Sequence, residues 1–286
     1  MRVVRNTNPL RLRRQGPRGW GAERGETRPG RAASAGDGAA VEGATGGAAA
    51  GRGPVWLFDL DDTLHHASHS IIPQVNDLMT AYITRLLDGD AQAADRLRAD
   101  YWRRYGATLL GLVRHHGVAA ADFLAEVHAI PDLLERARFQ RRVLDLLARL
   151  PGRKILLTNA PAGYALPIVR HTRLHTRFHH QVTVENMWVH RTLRPKPDRL
   201  MLQRLLARHR VSASRAVLVE DSRSHLQRYA KLGLSTVWVT GFLPAHARRR
   251  GFRPAYVDLK VKSVLDLLRR SSPSLRKTSH ARASHP

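Results

Sequence analysis

Val55-Trp56-Leu57-Phe58-Asp59-Leu60-Asp61-Asp62-Thr63 decides how this chain is read. Four apolar residues running into carboxylates fit a strand buried on both faces, delivering acids to the C-terminal edge of a sheet. In open α/β sheets that edge is where ligands bind. Asp59 and Asp61 are two apart, so a continued strand points both the same way. Two convergent carboxylates suit a hard cation such as Mg²⁺. They also suit a division between nucleophile and proton donor. On its own the stretch fits equally well a strand followed by an acidic turn, with Thr63 capping a helix.

Three later segments separate these readings. Lys154-Ile155-Leu156-Leu157 ends in Thr158-Asn159. Pro195-Lys196-Pro197 places a lone lysine between prolines, ahead of the helical pattern Leu200, Leu202, Leu205 and Leu206. Ala216-Val217-Leu218-Val219 ends in Glu220-Asp221-Ser222. Each strand therefore closes on a different polar group, with a cation on a loop between them. A metal-assisted reaction on a phosphate ester needs that set. Carboxylates hold Mg²⁺, a hydroxyl and backbone N–H groups hold phosphoryl oxygens, and a lysine balances charge. Taken singly, Thr158-Asn159 reads as a helix cap, Lys196 as a solvated loop charge, and Glu220-Asp221 as an acidic first helical turn.

The ordered set Asp-x-Asp-x-Thr, Thr-Asn, Lys and Glu-Asp resembles the four motifs of the haloacid dehalogenase superfamily of phosphatases, over roughly Val55 to Phe242. The resemblance implies that Asp59 is a nucleophile forming an aspartyl-phosphate. It implies that Asp61 protonates the leaving alkoxide and then deprotonates the hydrolytic water. Thr158, Asn159 and Lys196 would hold the phosphoryl group. Asp59, the Asp61 backbone carbonyl, Asp221 and Glu220 would bind Mg²⁺, with either acid of the last pair touching the metal directly. Residues 100–112, from Asp100 through Tyr101, Tyr105, Gly106 and Gly111 to Leu112, are similar to the cap region of pyrimidine 5′-nucleotidases of that superfamily. This implies nucleoside monophosphates as substrates. Tyr101, Tyr105 and Arg114 are then candidates for contacts to base or ribose. Lying four apart, the two tyrosines fit the packed face of a helix as well.

Residues 64–153 carry apolar stripes of helical period, among them Leu78, Tyr82, Leu86 and Leu87, and Val143, Leu146, Leu147 and Leu150. They are expected to form an all-α cap inserted in a Rossmann-like α/β core of residues 54–63 and 154–270. Strands are expected near 154–158, 182–185, 216–220 and 235–240. Helices are expected near 162–173, 198–209, 223–232 and 263–270. Right-handed crossovers place the first strand between those ending at Thr158 and Glu220. Residues 1–53, rich in Arg, Gly and Ala, and 271–286 read as a disordered extension and tail.

Composition narrows the function further. There are no cysteines, which excludes disulfides and thiolate metal sites. No run reaches the roughly 20 apolar residues of a membrane span. The basic N-terminus lacks an apolar core, so a cytoplasmic protein is expected. The net charge of +25 attracts any anion. Its arginines are spread along the chain, so no specific nucleic acid or membrane partner is expected, and a small phosphate ester is. Sixteen histidines include the pairs His65-His66, His115-His116 and His179-His180. None has metal-ligand spacing, and most read as surface residues. The expected activity is thus a Mg²⁺-dependent phosphomonoesterase, a pyrimidine 5′-nucleotidase first. A sugar-phosphate or phosphoglycolate phosphatase comes second, and a catalytically idle nucleic-acid-binding scaffold is a remote third.

Overall fold

The computed structural model describes residues 53–244 and 252–270. Apart from Gly53, the extension expected over 1–53 lies outside the described residues, as does the tail expected over 271–286. Strand β1 (Val55–Phe58) has all four residues buried. It pairs in parallel with β2 (Arg153–Leu157) on one side and β6 (Ala216–Glu220) on the other. β3 (His180–Val182), β7 (Ser235–Val239) and β8 (Leu259–Val261) complete a six-stranded parallel sheet in the order β3-β2-β1-β6-β7-β8. A continuous apolar run is what a central parallel strand requires, because helices cover both its faces.

The two faces are distinct. Trp56, Phe58, Leu156, Val217 and Val219 pack with residues of α6 (Arg142–Arg149) and α7 (Ala162–His171). Val55, Leu57, Ile155, Leu157 and Leu218 pack with residues of α8 (Arg199–Arg208) and α9 (Arg223–Ala230). Each large apolar side chain so buried contributes about 1.5–3 kcal/mol. The α/β architecture with β1 at its centre is therefore the one expected from sequence.

Three details differ. The third strand ends at Val182 rather than near 185. There the Thr183 hydroxyl donates to Glu185 (2.6 Å) and its N–H to the Asn186 side chain (3.0 Å), which favours a 3₁₀ turn over Val184–Asn186. β8 was not anticipated, and neither was the antiparallel pair β4 (Trp188–Val189) and β5 (Thr192–Leu193). Each is two or three residues long, too short to show a period.

Between β1 and β2 lie α1 (Ile71–Leu86), α2 (Ala91–Tyr105), α3 (Thr108–His116), α4 (Ala120–Val127), α5 (Leu133–Arg136) and α6. Helices α1 to α4 pack on one another, whereas α5 packs on α7 and α6 on the turn before α10 (Leu267–Arg270). The segment 64–153 thus holds two groups of helices. α2 ends at Gly106, whose left-handed φ of 79° lets its N–H close on the Trp102 carbonyl at 2.8 Å. A Cβ on Gly106 would meet Pro197 Cδ at 3.0 Å, so this turn abuts the Lys196 loop. A Cβ on Gly111 would fall 2.2 Å from the Tyr101 ring. The Tyr101 and Gly111 pair therefore sets how closely α2 and α3 approach.

That contact gives a direct test of the helical layer. Gly111→Ala should destabilise the protein by about 1–3 kcal/mol, the usual result of overpacking a filled site. Gly163→Ala, with nothing within 4 Å of its added carbon, should be neutral or stabilising by up to about 1 kcal/mol. Urea unfolding midpoints of the two variants measure the contrast.

Candidate active site

Asp59 extends β1 by one residue, its N–H donating to the Val219 carbonyl at 3.0 Å. This brings its carboxylate level with Glu220, the last residue of β6. Lys196 reaches in from the loop before α8 and is only 2 % exposed. Its Nζ donates to Asp59 Oδ1 at 2.6 Å and to Glu220 Oε2 at 2.9 Å. The Thr63 hydroxyl donates to Asp59 Oδ2 at 3.3 Å. The other Glu220 oxygen accepts the Ser222 N–H at 3.2 Å, and His225 Nδ1 lies 3.2 Å from Glu220 Oε2. Asp221 follows, its backbone carbonyl tied to the indole N–H of Trp238 at 2.9 Å.

Three acids around one buried lysine are a cation short. Burial, and then the charge of Glu220, push the Asp59 carboxyl up from 3.8 to about 8, against the pull of Lys196. Burial and the charges of Glu220 and Asp59 likewise hold Asp221 well above the usual carboxylate range. Burial also works against ionised Glu220, but Lys196 and His225 outweigh it and hold that carboxyl low. Burial disfavours the Lys196 ammonium too, yet Asp59 and Glu220 more than offset it and raise its pKa. One carboxylate oxygen from each of Asp59, Glu220 and Asp221 lies within 4.8 Å of the others. Hard oxygen donors carrying an unbalanced negative charge fit a hard divalent cation such as Mg²⁺.

Asp61 is held differently. Its Oδ1 accepts the Tyr164 hydroxyl at 2.6 Å and lies 2.8 Å from His65 Nε2. Burial raises its carboxyl, but the hydrogen bond with His65, and then that from Tyr164, outweigh burial and lower it. The two aspartates of one strand end thus sit in opposite electrostatic settings.

Thr158 is buried at the end of β2, its hydroxyl accepting the Ala160 N–H at 3.1 Å. Asn159 has a more specific place than the sequence suggested. Its side-chain N–H donates to the Lys196 carbonyl at 2.9 Å, and its Oδ1 accepts the Lys196 N–H at 2.8 Å. Both ends of the amide are engaged with the lysine's own backbone, so here Asn159 clamps the Lys196 loop.

A family profile for haloacid dehalogenase-like hydrolases matches residues 55–233. The chain belongs to the haloacid dehalogenase-like hydrolase family. It is similar in fold to a haloacid dehalogenase phosphatase from Thermococcus onnurineus, at 17 % identity and a TM-score of 0.51, covering 77 % of this chain and 98 % of that one. It is similar also to a candidate phosphoglycolate phosphatase from Lactobacillus plantarum, at 18 % identity and a TM-score of 0.53, covering 76 % and 98 %. A haloacid dehalogenase-like hydrolase candidate from Bacteroides fragilis matches at 16 % identity and a TM-score of 0.54, covering 76 % and 100 %. At such identities the likeness is one of fold.

On this hydrolase fold Asp59, Lys196, Glu220 and Asp221 converge, and Asn159 joins them through the lysine backbone. The helical candidates are engaged elsewhere. The Tyr101 ring lies against Gly111, and its hydroxyl pairs with His116 Nε2 at 3.0 Å. The Tyr105 hydroxyl pairs with His115 Nε2 at 2.6 Å, and Arg114 is exposed. Both tyrosines thus serve the α2–α3 pairing. His65, read as one of a surface pair, is fully buried beside Asp61. Its spacing of four from Asp61 was the available signal. Tyr164 arrives from a helix about a hundred residues away in sequence and gave none.

The charge imbalance makes cation binding measurable without turnover. Below about pH 8 a proton competes for Asp59, since its folded value of about 8 lies above 3.8. A metal must expel that proton. MgCl₂ should therefore raise the melting temperature more at about pH 8 than at about pH 5.5, with roughly 2–4 °C gained per kcal/mol of binding. In Asp221→Ala the gain should shrink at both pH values. Thermal scans across a MgCl₂ series decide it, and an equal gain at the two pH values would contradict this assignment.

Proposed function

We propose that this protein is a Mg²⁺-dependent phosphomonoesterase that works through an aspartyl-phosphate on Asp59, with pyrimidine nucleoside 5′-monophosphates as its substrates. The observation that carries the reading is the contrast between Asp59 and Asp61. One carboxylate is fixed by Lys196 in the acid cluster; the other stands outside it, on His65 and Tyr164. That difference in place, rather than in proton affinity, suits a nucleophile and a proton carrier. Asp59 Oδ attacks phosphorus as the bond from phosphorus to the ester oxygen breaks. Asp61 gives its proton to the departing alkoxide. Water then attacks the phosphoryl group while Asp61 takes its proton back, releasing phosphate and restoring the Asp59 carboxylate. Lys196 offsets charge on the transferring group, and Asn159 keeps Lys196 in reach.

Mg²⁺, when bound, supplies positive charge to the phosphoryl oxygens. Asp59, Asp221 and the Asp61 backbone carbonyl are the residues that would hold it. Glu220 already accepts from Lys196 and Ser222, which leaves Asp221 as the more open carboxylate of the pair. Helices α1 to α4 would cover the site, and Gly106 against Pro197 supplies a contact between that layer and the Lys196 loop.

The nucleotide part of the proposal rests on the residue 100–112 pattern. The places of Tyr101 and Tyr105 favour a second reading, a phosphatase for another small ester such as a sugar phosphate or phosphoglycolate, because neither ring is free of packing to stack on a base. An idle nucleic-acid-binding scaffold gains nothing from burying two acids and a lysine beside a third acid, which is costly.

Hydrolysis of p-nitrophenyl phosphate should require MgCl₂ and should fall by on the order of 10⁴ or more in Asp59→Asn. Mg²⁺-independent turnover, or substantial activity in that variant, would sink the phosphatase reading. Comparing kcat/KM for UMP and CMP with sugar phosphates and phosphoglycolate settles the substrate. Preference for the latter would replace the nucleotidase proposal and leave the chemistry intact.

A further inference from the structure

Among the described residues, the hydrogen bonds to the Asp61 carboxylate converge on one oxygen. Tyr164, on α7 and 2 % exposed, donates its hydroxyl to Oδ1 at 2.6 Å. His65 Nε2 lies 2.8 Å from the same oxygen. The roles of a histidine nitrogen depend on where its proton sits, and here the ring's other side constrains that. His65 Nδ1 is buried without a hydrogen-bond partner among the described residues. An N–H there would be a buried orphan donor, so the proton belongs on Nε2, which then donates to Asp61. The Tyr164 hydroxyl faces a carboxylate oxygen, which can only accept, so the tyrosine is the donor. The tyrosine is itself backed from the helical layer. The ring of His128, at the end of α4, meets it edge-on at 5.5 Å, with His128 Nδ1 fixed on the Leu124 carbonyl at 3.0 Å.

We propose that Tyr164 and His65 are positioning residues that saturate Oδ1 of Asp61 and reserve Oδ2 for proton transfer. The inference rests on the acid–base role given to Asp61 above. Two donors on Oδ1 leave no lone pair there for a third proton in the carboxyl plane. Protonating Oδ1 would displace one of them, whereas protonating Oδ2 displaces neither. The pair also fixes the rotation of the carboxyl, so the same oxygen gives the proton to the leaving alkoxide and later takes one from water. In such a mechanism a rotation of the acid by a few tenths of an ångström matters most when the leaving group needs the proton.

The test is a leaving-group series in the full-length enzyme. Tyr164→Phe keeps the ring, and with it the contact to His128, but removes the hydroxyl. The quantity read is kcat/KM, which reports phosphoryl transfer to Asp59 and not the later hydrolysis. For alkyl phosphates it should fall roughly tenfold or more, the effect of losing one hydrogen bond to a charged group. For p-nitrophenyl phosphate, whose phenolate leaves without a proton, it should fall much less. The plot of log kcat/KM against leaving-group pKa should therefore steepen. His65→Gln, which retains an N–H donor, should stay nearer the wild-type slope than His65→Leu, and this pair carries the test if Tyr164→Phe fails to fold. Parallel losses on both ester classes, or an unchanged slope, would overturn the proposal while leaving the phosphatase reading standing. Absence of any hydrolysis by the wild-type enzyme would instead remove the reading on which the proposal rests.

Discussion

The ion cluster of Lys196 with Asp59 and Glu220 is the constraint on which the rest of the structure depends. An ammonium that is 2 % exposed can persist only with its partners in place. Removing one member of such a cluster typically costs about 3–5 kcal/mol, because a buried charge is left uncompensated. The three residues come from β1, β6 and the loop before α8, so the fold must hold all three to within a hydrogen bond. The parallel register does this for the acids. Phe58 pairs with Val219, and so Asp59 ends level with Glu220. The Asn159 amide does it for the lysine, by grasping both polar groups of the Lys196 backbone.

The same cluster links stability to function. Three carboxylates and one lysine leave net negative charge in a poorly solvated place. Burial, and then that charge, raise Asp59 and Asp221, and the unbalanced oxygen donors suit a hard cation. Asp61 escapes the same fate because its donors are His65 and Tyr164, outside the cluster. One strand end therefore presents two carboxylates in different surroundings, Asp59 inside the lysine cluster and Asp61 on His65 and Tyr164.

Much of this was legible in the chain. Central parallel strands are buried on both faces, so β1, β2 and β6 stood out as apolar runs, and the polar residues after them named the sheet edge. The lysine was legible because two prolines isolate it. Other features depended on tertiary placement. β8, reading Leu259-Lys260-Val261, is half-exposed and three residues long, and only its pairing with β7 makes it a strand. Tyr101 and Tyr105 fitted ligand contacts and a packed helix face alike, because spacing alone does not show Gly111 beneath the Tyr101 ring or the histidines beside both hydroxyls. Tyr164 acts on Asp61 from α7, and no spacing rule connects them. His65 lay within reach of one, four residues from Asp61, but its doublet with His66 resembled the exposed pairs elsewhere.

The central claim is that Asp59 carries the phosphoryl group, and it can be observed directly. In Asp61→Asn, p-nitrophenyl phosphate still transfers its phosphoryl group without a proton donor, while the water that should release it lacks a base. Acid quenching within the first turnover, followed by proteolysis and mass spectrometry, should then find the phosphoryl group on the peptide containing Asp59. The Asp59→Asn protein treated in the same way should show none. A phosphoryl group mapped to any other residue, or none on Asp59 while p-nitrophenolate is released, would contradict the account.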